Sequence, residues 1–344
     1  MNLTVLSLVT GAELVLGFTL GRVLIPFFRK LKTGRYDPYI GDRFRQDGSE
    51  PRMGGALIFI CMVVGTLIGT AFFSSQGELY GRADLRLILT AVAACGVLCS
   101  LGLREDILRD KGVFAVMKPL YRNACRFAVL LAALYGFKFF GLARTGVLLP
   151  FRWGYLELGY LYYPLVALAG TLFLSAVTVC DCPSGKTELG TDGLCPTLLM
   201  LFFMSITAGL TVTGLHPEAQ LISSAAMGAA GGFLFWGLHP SKLFFGESGA
   251  NVLGTAAVLS CVLSGAELLL IIGGGAILTD AVCAFLQYAV FRTKKKLLFK
   301  GYTLHEHFKN KGRGEFQIIG AAAIVQILFS AAAIMFIVYS AKFL

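Results

Sequence analysis

The chain has 344 residues, of which 56% are hydrophobic and only 15% charged, and its mean hydropathy is +0.73. That balance excludes a soluble globular domain of this length and points to an integral membrane protein. The formal charge of +10 must then sit mainly in the segments between apolar runs.

Crossing about 30 Å of hydrocarbon takes roughly 20 apolar residues per helix. Such stretches lie near 4–28, 54–74, 86–103, 125–143, 161–180, 194–214, 220–238, 249–264, 266–291 and 317–341. The predicted fold class is therefore an all-α integral membrane protein with about ten transmembrane helices, organised as one polytopic domain over 1–344. The first run lacks a basic leader and a small-residue cleavage site and carries Glu13, so it reads as a retained helix rather than a secretory signal. Gly265 is a weak separator between the eighth and ninth runs. The nine cysteines are scattered, mostly inside predicted helices, and read as small buried apolar residues. Cys180, Asp181, Cys182 and Cys195 cluster, but no second cysteine pair or histidine completes a zinc set.

Lysine and arginine alternate between loops. Residues 29–53 hold seven, 104–126 six and 292–316 eight, whereas 75–86 and 144–160 hold two each and 215–219 none. By the positive-inside rule the first set is cytoplasmic, and an even number of spans places both termini outside. Basic loops also suit anionic lipid headgroups or a phosphate-bearing substrate. Nucleic-acid binding is disfavoured, because these loops lack interleaved aromatics. A secondary transporter would show internal repeats and charges near the bilayer midplane, and neither is seen.

Acidic residues near a membrane boundary call for a reason. Glu105 and Asp106 close the third helix in "SLGLREDILRDKG". Asp181 ends the fifth, and Asp192 opens the sixth in "GTDGLCPT". Glu247 lies in "HPSKLFFGESGANVLG", and His305 and His307 lie in "KGYTLHEHFKNKG" before the tenth helix. All fall on the predicted cytoplasmic side. Carboxylates facing cationic loops suit a divalent metal that bridges phosphate oxygens, and phosphoryl transfer needs little beyond positioning and charge neutralisation.

These segments resemble the polyprenyl-phosphate N-acetylhexosamine-1-phosphate transferases, and within them the phospho-N-acetylmuramoyl-pentapeptide transferases. "SEPRMGGALIF", "GLREDIL", "TDGLCPT", "LFFGESGANVLG" and "LHEHFKNKG" are each similar to a family segment, over nearly the whole length. The resemblance implies a bacterial inner-membrane enzyme of peptidoglycan synthesis with its site on the cytoplasmic face. The phosphate of undecaprenyl phosphate would attack UDP-N-acetylmuramoyl-pentapeptide, or another UDP-sugar, giving a lipid I-type product and UMP, with Mg²⁺ as cofactor. Carried over by position, Glu105, Asp106 and Asp192 would be catalytic, Asp106 touching the lipid phosphate, and Glu247 would bind the metal. Phe244 would stack on uracil, His305 and His307 would lie near the nucleotide-sugar phosphates, and Asp181 and either Lys118 or Arg122 would bind substrate.

The chain departs from the family pattern at several of these positions. Glutamate replaces aspartate at 105 and 247, Thr178 stands where asparagine is expected, and Glu306 replaces the middle histidine. An insertion, "CPSGKTEL", separates Asp181 from Asp192. The alternative is a catalytically silent paralogue that binds polyprenyl phosphate or scaffolds envelope-synthesis enzymes. The sequence leaves open whether the chain forms a homodimer.

Overall fold

In lipid the backbone must satisfy its own hydrogen bonds, which helices alone achieve within one segment. The apolar runs accordingly form long helices. The computed structural model describes residues 3–30, 50–75, 84–110, 117–150, 154–181 and 191–341. In chain order the elements are α1 (Leu3–Lys30), α2 (Gly54–Ser75), α3 (Leu85–Asp110), α4 (Pro119–Phe139), β1 (Gly146–Leu148), β2 (Tyr155–Glu157), α5 (Tyr162–Asp181), α6 (Leu194–Thr213) and α7 (Pro217–Gly237), followed by α8 (Gly246–Ser264), α9 (Leu269–Ile272), α10 (Gly275–Lys294), α11 (Leu304–Lys309) and α12 (Glu315–Ser340). Among the described residues, seven helices, α1, α2, α3, α5, α6, α10 and α12, are long and apolar enough to cross a membrane by length and composition. The chain is an all-α integral membrane protein. The insertion at 182–189 lies outside the described residues.

Three boundaries differ from the sequence expectation. The predicted ninth helix, 266–291, is broken: α9 covers one turn, and α10 starts after Gly273 and Gly274. Helix α4 begins at Pro119, a residue suited to a first helical turn, so Arg122 and Arg126 lie inside the helix rather than at or before its start. An antiparallel pair, β1 and β2, joins α4 to α5 with Val147 opposite Leu156, where no strand was expected. At the predicted separator, Gly265 takes φ +72°, a left-handed turn that ends α8.

Helix α8 is central. It packs against α2, α3, α5 and α7, and every residue from Glu247 to Ser264 is buried. Its run of glycine, alanine and serine lets neighbouring backbones come close, as helices in lipid require. A Cβ at Gly55 of α2 would lie 2.3 Å from the carbonyl carbon of Ser248, and one at Gly102 of α3 would lie 2.5 Å from its Cα. Two helices therefore clamp the first turn of α8. Gly102→Val would force α3 off α8, and overpacking of this kind costs about 1–3 kcal/mol; a lowered thermal unfolding midpoint in detergent checks it.

Candidate functional site

The first turn of α8 carries Glu247, and its position depends on two features. Gly246 adopts φ +72°, and a Cβ there would meet the Arg52 carbonyl oxygen at 2.4 Å and Asp106 Oδ2 at 2.8 Å. Asp106 then caps the helix from α3. Its Oδ1 accepts from the Glu247 amide at 2.9 Å, and its Oδ2 accepts from the Ser248 amide at 2.9 Å and the Ser248 hydroxyl at 2.7 Å. Amides at a helix start have no partner within the helix, and a carboxylate also suits the positive end of the dipole.

Adjacent residues on a helix diverge by about 100°, so Glu105 points elsewhere, toward α4. There Arg122 Nη1 lies 3.7 Å from Glu105 Oε2 and 3.3 Å from Glu247 Oε2. Arg126 is fully buried and pairs with Glu247 Oε1. Its guanidinium also donates to Asn251 Oδ1 at 2.9 Å from Nε and to Thr178 Oγ1 at 2.8 Å from Nη2. Asn251 is fixed in turn by donating to the Leu98 carbonyl at 3.0 Å. Two glutamates and two arginines thus form a quartet, buried except for partly exposed Arg122, whose own formal charges cancel.

On the other side of Glu247 lies a cavity of about 290 Å³. It is walled by the ends of α5 and α7 and the starts of α6, α8 and α12. Asp181, Asp192, Glu247, Glu50 and Glu315 bring carboxylates to it, Arg52 and Arg109 bring guanidinium groups, and Phe244 brings an aromatic ring. Asp181 faces Asp106, Glu247, Arg52 and the Gly246 amide. Segments as far apart in sequence as Glu50 and Glu315 so converge on one polar space at the end of an apolar bundle.

The structure places Asp181, Asp192, Phe244 and Glu247 on this cavity, while Glu105 lies behind it against Arg122 and Asp106 is committed to α8. Of the two cations considered after the acidic pair, Arg122 reaches the carboxylates, whereas Lys118 sits at the start of α4 and does not line the cavity.

The histidine loop does not line it either. His305 is buried, with Nδ1 2.9 Å from Asp280 Oδ2 and Nε2 3.2 Å from the Thr303 hydroxyl. His307 Nδ1 accepts from the Lys300 amide at 3.0 Å, and buried Glu306 accepts from the Tyr302 amide at 2.6 Å. Each of the three side chains ties α11 and its approach to nearby backbone or to α10. His305 and Asp280 border a separate apolar cavity of about 540 Å³ among α6, α10, α11 and α12. Asp280 also accepts from the Leu304 amide at 2.9 Å. Asp280→Ala therefore strands several donors, at about 1–3 kcal/mol, and should raise amide hydrogen exchange across 303–309.

Arg126, Asn251, His239, Glu315, Arg52 and Arg109 were not singled out by sequence reasoning. The signal for Arg126 was present, since a cation inside an apolar run needs a partner.

A Mg²⁺ held by Glu247 does not fit these side chains as arranged. Its two carboxylate oxygens face the Arg126 and Arg122 guanidinium groups, so a cation there would have to compete with both arginines, although Asp106 and Asp181 beside Glu247 add negative charge.

Comparison with known proteins agrees with the sequence resemblance. A family model described as glycosyl transferase family 4 matches residues 86–265. A phospho-N-acetylmuramoyl-pentapeptide-transferase from Halalkalibacterium halodurans is 29% identical over 338 residues, covering 96% of this chain and 97% of the relative. The enzymes of the same name from Clostridium botulinum (strain Alaska E43 / Type E3) and Bacillus subtilis (strain 168) are each 29% identical, covering 95% and 87% of this chain and 95% and 88% of their own lengths.

Proposed function

Because the chain belongs to glycosyl transferase family 4, we propose that it transfers a phospho-N-acetylmuramoyl-pentapeptide, or a related phospho-sugar, from a UDP-sugar to undecaprenyl phosphate. An oxygen of the lipid phosphate attacks the phosphorus bonded to the sugar, that phosphorus loses its bond to UMP, and a lipid I-type diphosphate and UMP result. The reaction belongs to peptidoglycan synthesis at the cytoplasmic face of the bacterial inner membrane, with the basic loops inside and both termini outside.

The observation that carries this reading is the convergence of Asp181, Asp192 and Glu247 with Arg52, Arg109 and Phe244 on one cavity at the bundle end. Arg52 and Arg109 supply fixed positive charge for phosphate oxygens, the interaction that phosphoryl transfer chiefly demands. Phe244 offers a face for the uracil ring. In this reading Asp192, just before α6 on the cavity wall, takes part in orienting the incoming phosphate. Asp106 acts through α8, whose first turn it holds, and is a positioning residue.

The pairing of both Glu247 oxygens with Arg122 and Arg126 favours a second reading, a silent paralogue that keeps the nucleotide and lipid sites without turnover. Both readings share nucleotide binding, which Phe244→Ala tests. Base stacking on an aromatic ring is worth about 1–3 kcal/mol, so affinity for UDP-N-acetylmuramoyl-pentapeptide measured by calorimetry should fall about 5- to 150-fold. Unchanged affinity in a folded variant removes the ring from the site.

A further inference from the structure

A second group of ionisable side chains lines the same cavity. Asp192 precedes α6, His239 follows α7, and Glu315 is the first residue of α12, so three elements remote in sequence meet here. One ligand atom from each, two carboxylate oxygens and an imidazole nitrogen, lie within 4.8 Å of one another.

His239 Nδ1 is 3.0 Å from Glu315 Oε2 and 3.4 Å from Asp192 Oδ2. A single imidazole nitrogen thus faces two carboxylates, and one N–H cannot make a full hydrogen bond to both. Glu315 Oε2 also accepts from the Asp192 amide at 3.4 Å, a long contact. Lys309 Nζ, 2.7 Å from Glu315 Oε1, neutralises one of the two acids. Asp192 and Glu315 thus bring two carboxylates to the group and Lys309 a single ammonium. Beside it on the cavity wall, the Oγ1 atom of partly buried Thr191 is shielded from solvent and has no hydrogen-bond partner among the described residues. Such an oxygen calls for a ligand or an ordered water.

We propose that Asp192, His239 and Glu315 form a divalent-metal site, in which the ion takes the place of the shared Nδ1 proton and a metal-bound water meets Thr191 Oγ1. One imidazole with two carboxylates is a donor set for Mn²⁺ or Zn²⁺ rather than for Mg²⁺, which prefers oxygen alone. The site deepens the transferase reading by placing its cation on the rim of the cavity and not on Glu247. Its test reads metal binding and not turnover, so the two can fail separately.

The experiment is Mn²⁺ titration of the purified full-length protein in detergent, followed by electron paramagnetic resonance, with spin-echo detection of ¹⁴N coupling. Wild type binds Mn²⁺ with coupling to one histidine nitrogen. His239→Ala loses that coupling, and both His239→Ala and Glu315→Gln bind about a hundredfold more weakly. Glu247→Gln keeps both binding and coupling. The thermal unfolding midpoint of each variant separates loss of a ligand from loss of the fold. The proposal is overturned by absence of binding at millimolar Mn²⁺, by binding without nitrogen coupling, or by binding that survives His239→Ala and disappears in Glu247→Gln.

Discussion

Replacing Arg126 by alanine lowers the stability of the fold by about 3–5 kcal/mol, because it leaves Glu247 buried against only one remaining, partly exposed cation. The side chains of Arg126 and Glu247 are each 1% exposed, while Arg122 is 20% exposed. Asn251 and Thr178 lose their donor at the same time. At about 2 °C per kcal/mol for a chain of this size, the apparent melting temperature in detergent falls by about 6–10 °C. The double variant Arg126→Met with Glu247→Met recovers most of that loss, since a buried pair exchanged for apolar side chains of similar volume is often neutral or stabilising. A small effect of Arg126→Ala alone would mean that water or Arg122 satisfies Glu247, and that the quartet is not a closed group.

Asp106→Ala carries the second large effect, and it acts on position as well as on stability. Three donors at the start of α8 lose their acceptor together. Hydrogen bonds to a charged group are worth about 1.5–3 kcal/mol, and a helix cap about 1, so the fold loses about 2–4 kcal/mol. Because that turn carries Glu247 on the cavity wall, a shift of about 1 Å there should cost about a hundredfold in turnover. Asp106→Asn separates positioning from direct contact with substrate. An amide side chain keeps one acceptor for α8, so it restores part of the thermal stability and part of the turnover. If Asn recovers stability but no turnover, Asp106 touches the reacting phosphate itself.

The long helices were legible because apolar runs of membrane length leave the backbone little alternative. Their ends were less so. The ninth run hides a break, since Gly273 and Gly274 are as apolar in composition as their neighbours. The start of α4 was placed late, because hydropathy counts Arg122 and Arg126 as loop residues while the fold pairs them with Glu105 and Glu247. The sequence marks Arg126 as a cation in need of a partner, but pairing across 121 residues leaves no local trace of which one.

The site shows the same division. Their place at the membrane boundary brought out Asp181, Asp192 and Glu247, the family resemblance added Phe244, and all four line the cavity. That resemblance treated Glu105 and Asp106 as one pair, but the helical turn between them sends one to α4 and the other to α8. It grouped His305 and His307 with the phosphates, but charge density in a loop does not reveal that their nitrogens are taken by Asp280, Thr303 and the Lys300 amide. His239 carried no signal by itself, being exposed and alone in its segment. Only the meeting of α6, α7 and α12 gives it partners.

The central claim, that this cavity transfers a phospho-sugar to a lipid phosphate, is tested most directly by UMP release. Purified full-length protein in detergent is given undecaprenyl phosphate, divalent cation and, in turn, UDP-N-acetylmuramoyl-pentapeptide and UDP-N-acetylglucosamine. UMP formed with one donor, dependent on the lipid phosphate and lost in Asp192→Asn, is the result expected. No UMP with either donor, from protein that is folded and binds the nucleotide, would contradict it and leave the silent paralogue as the reading of this fold.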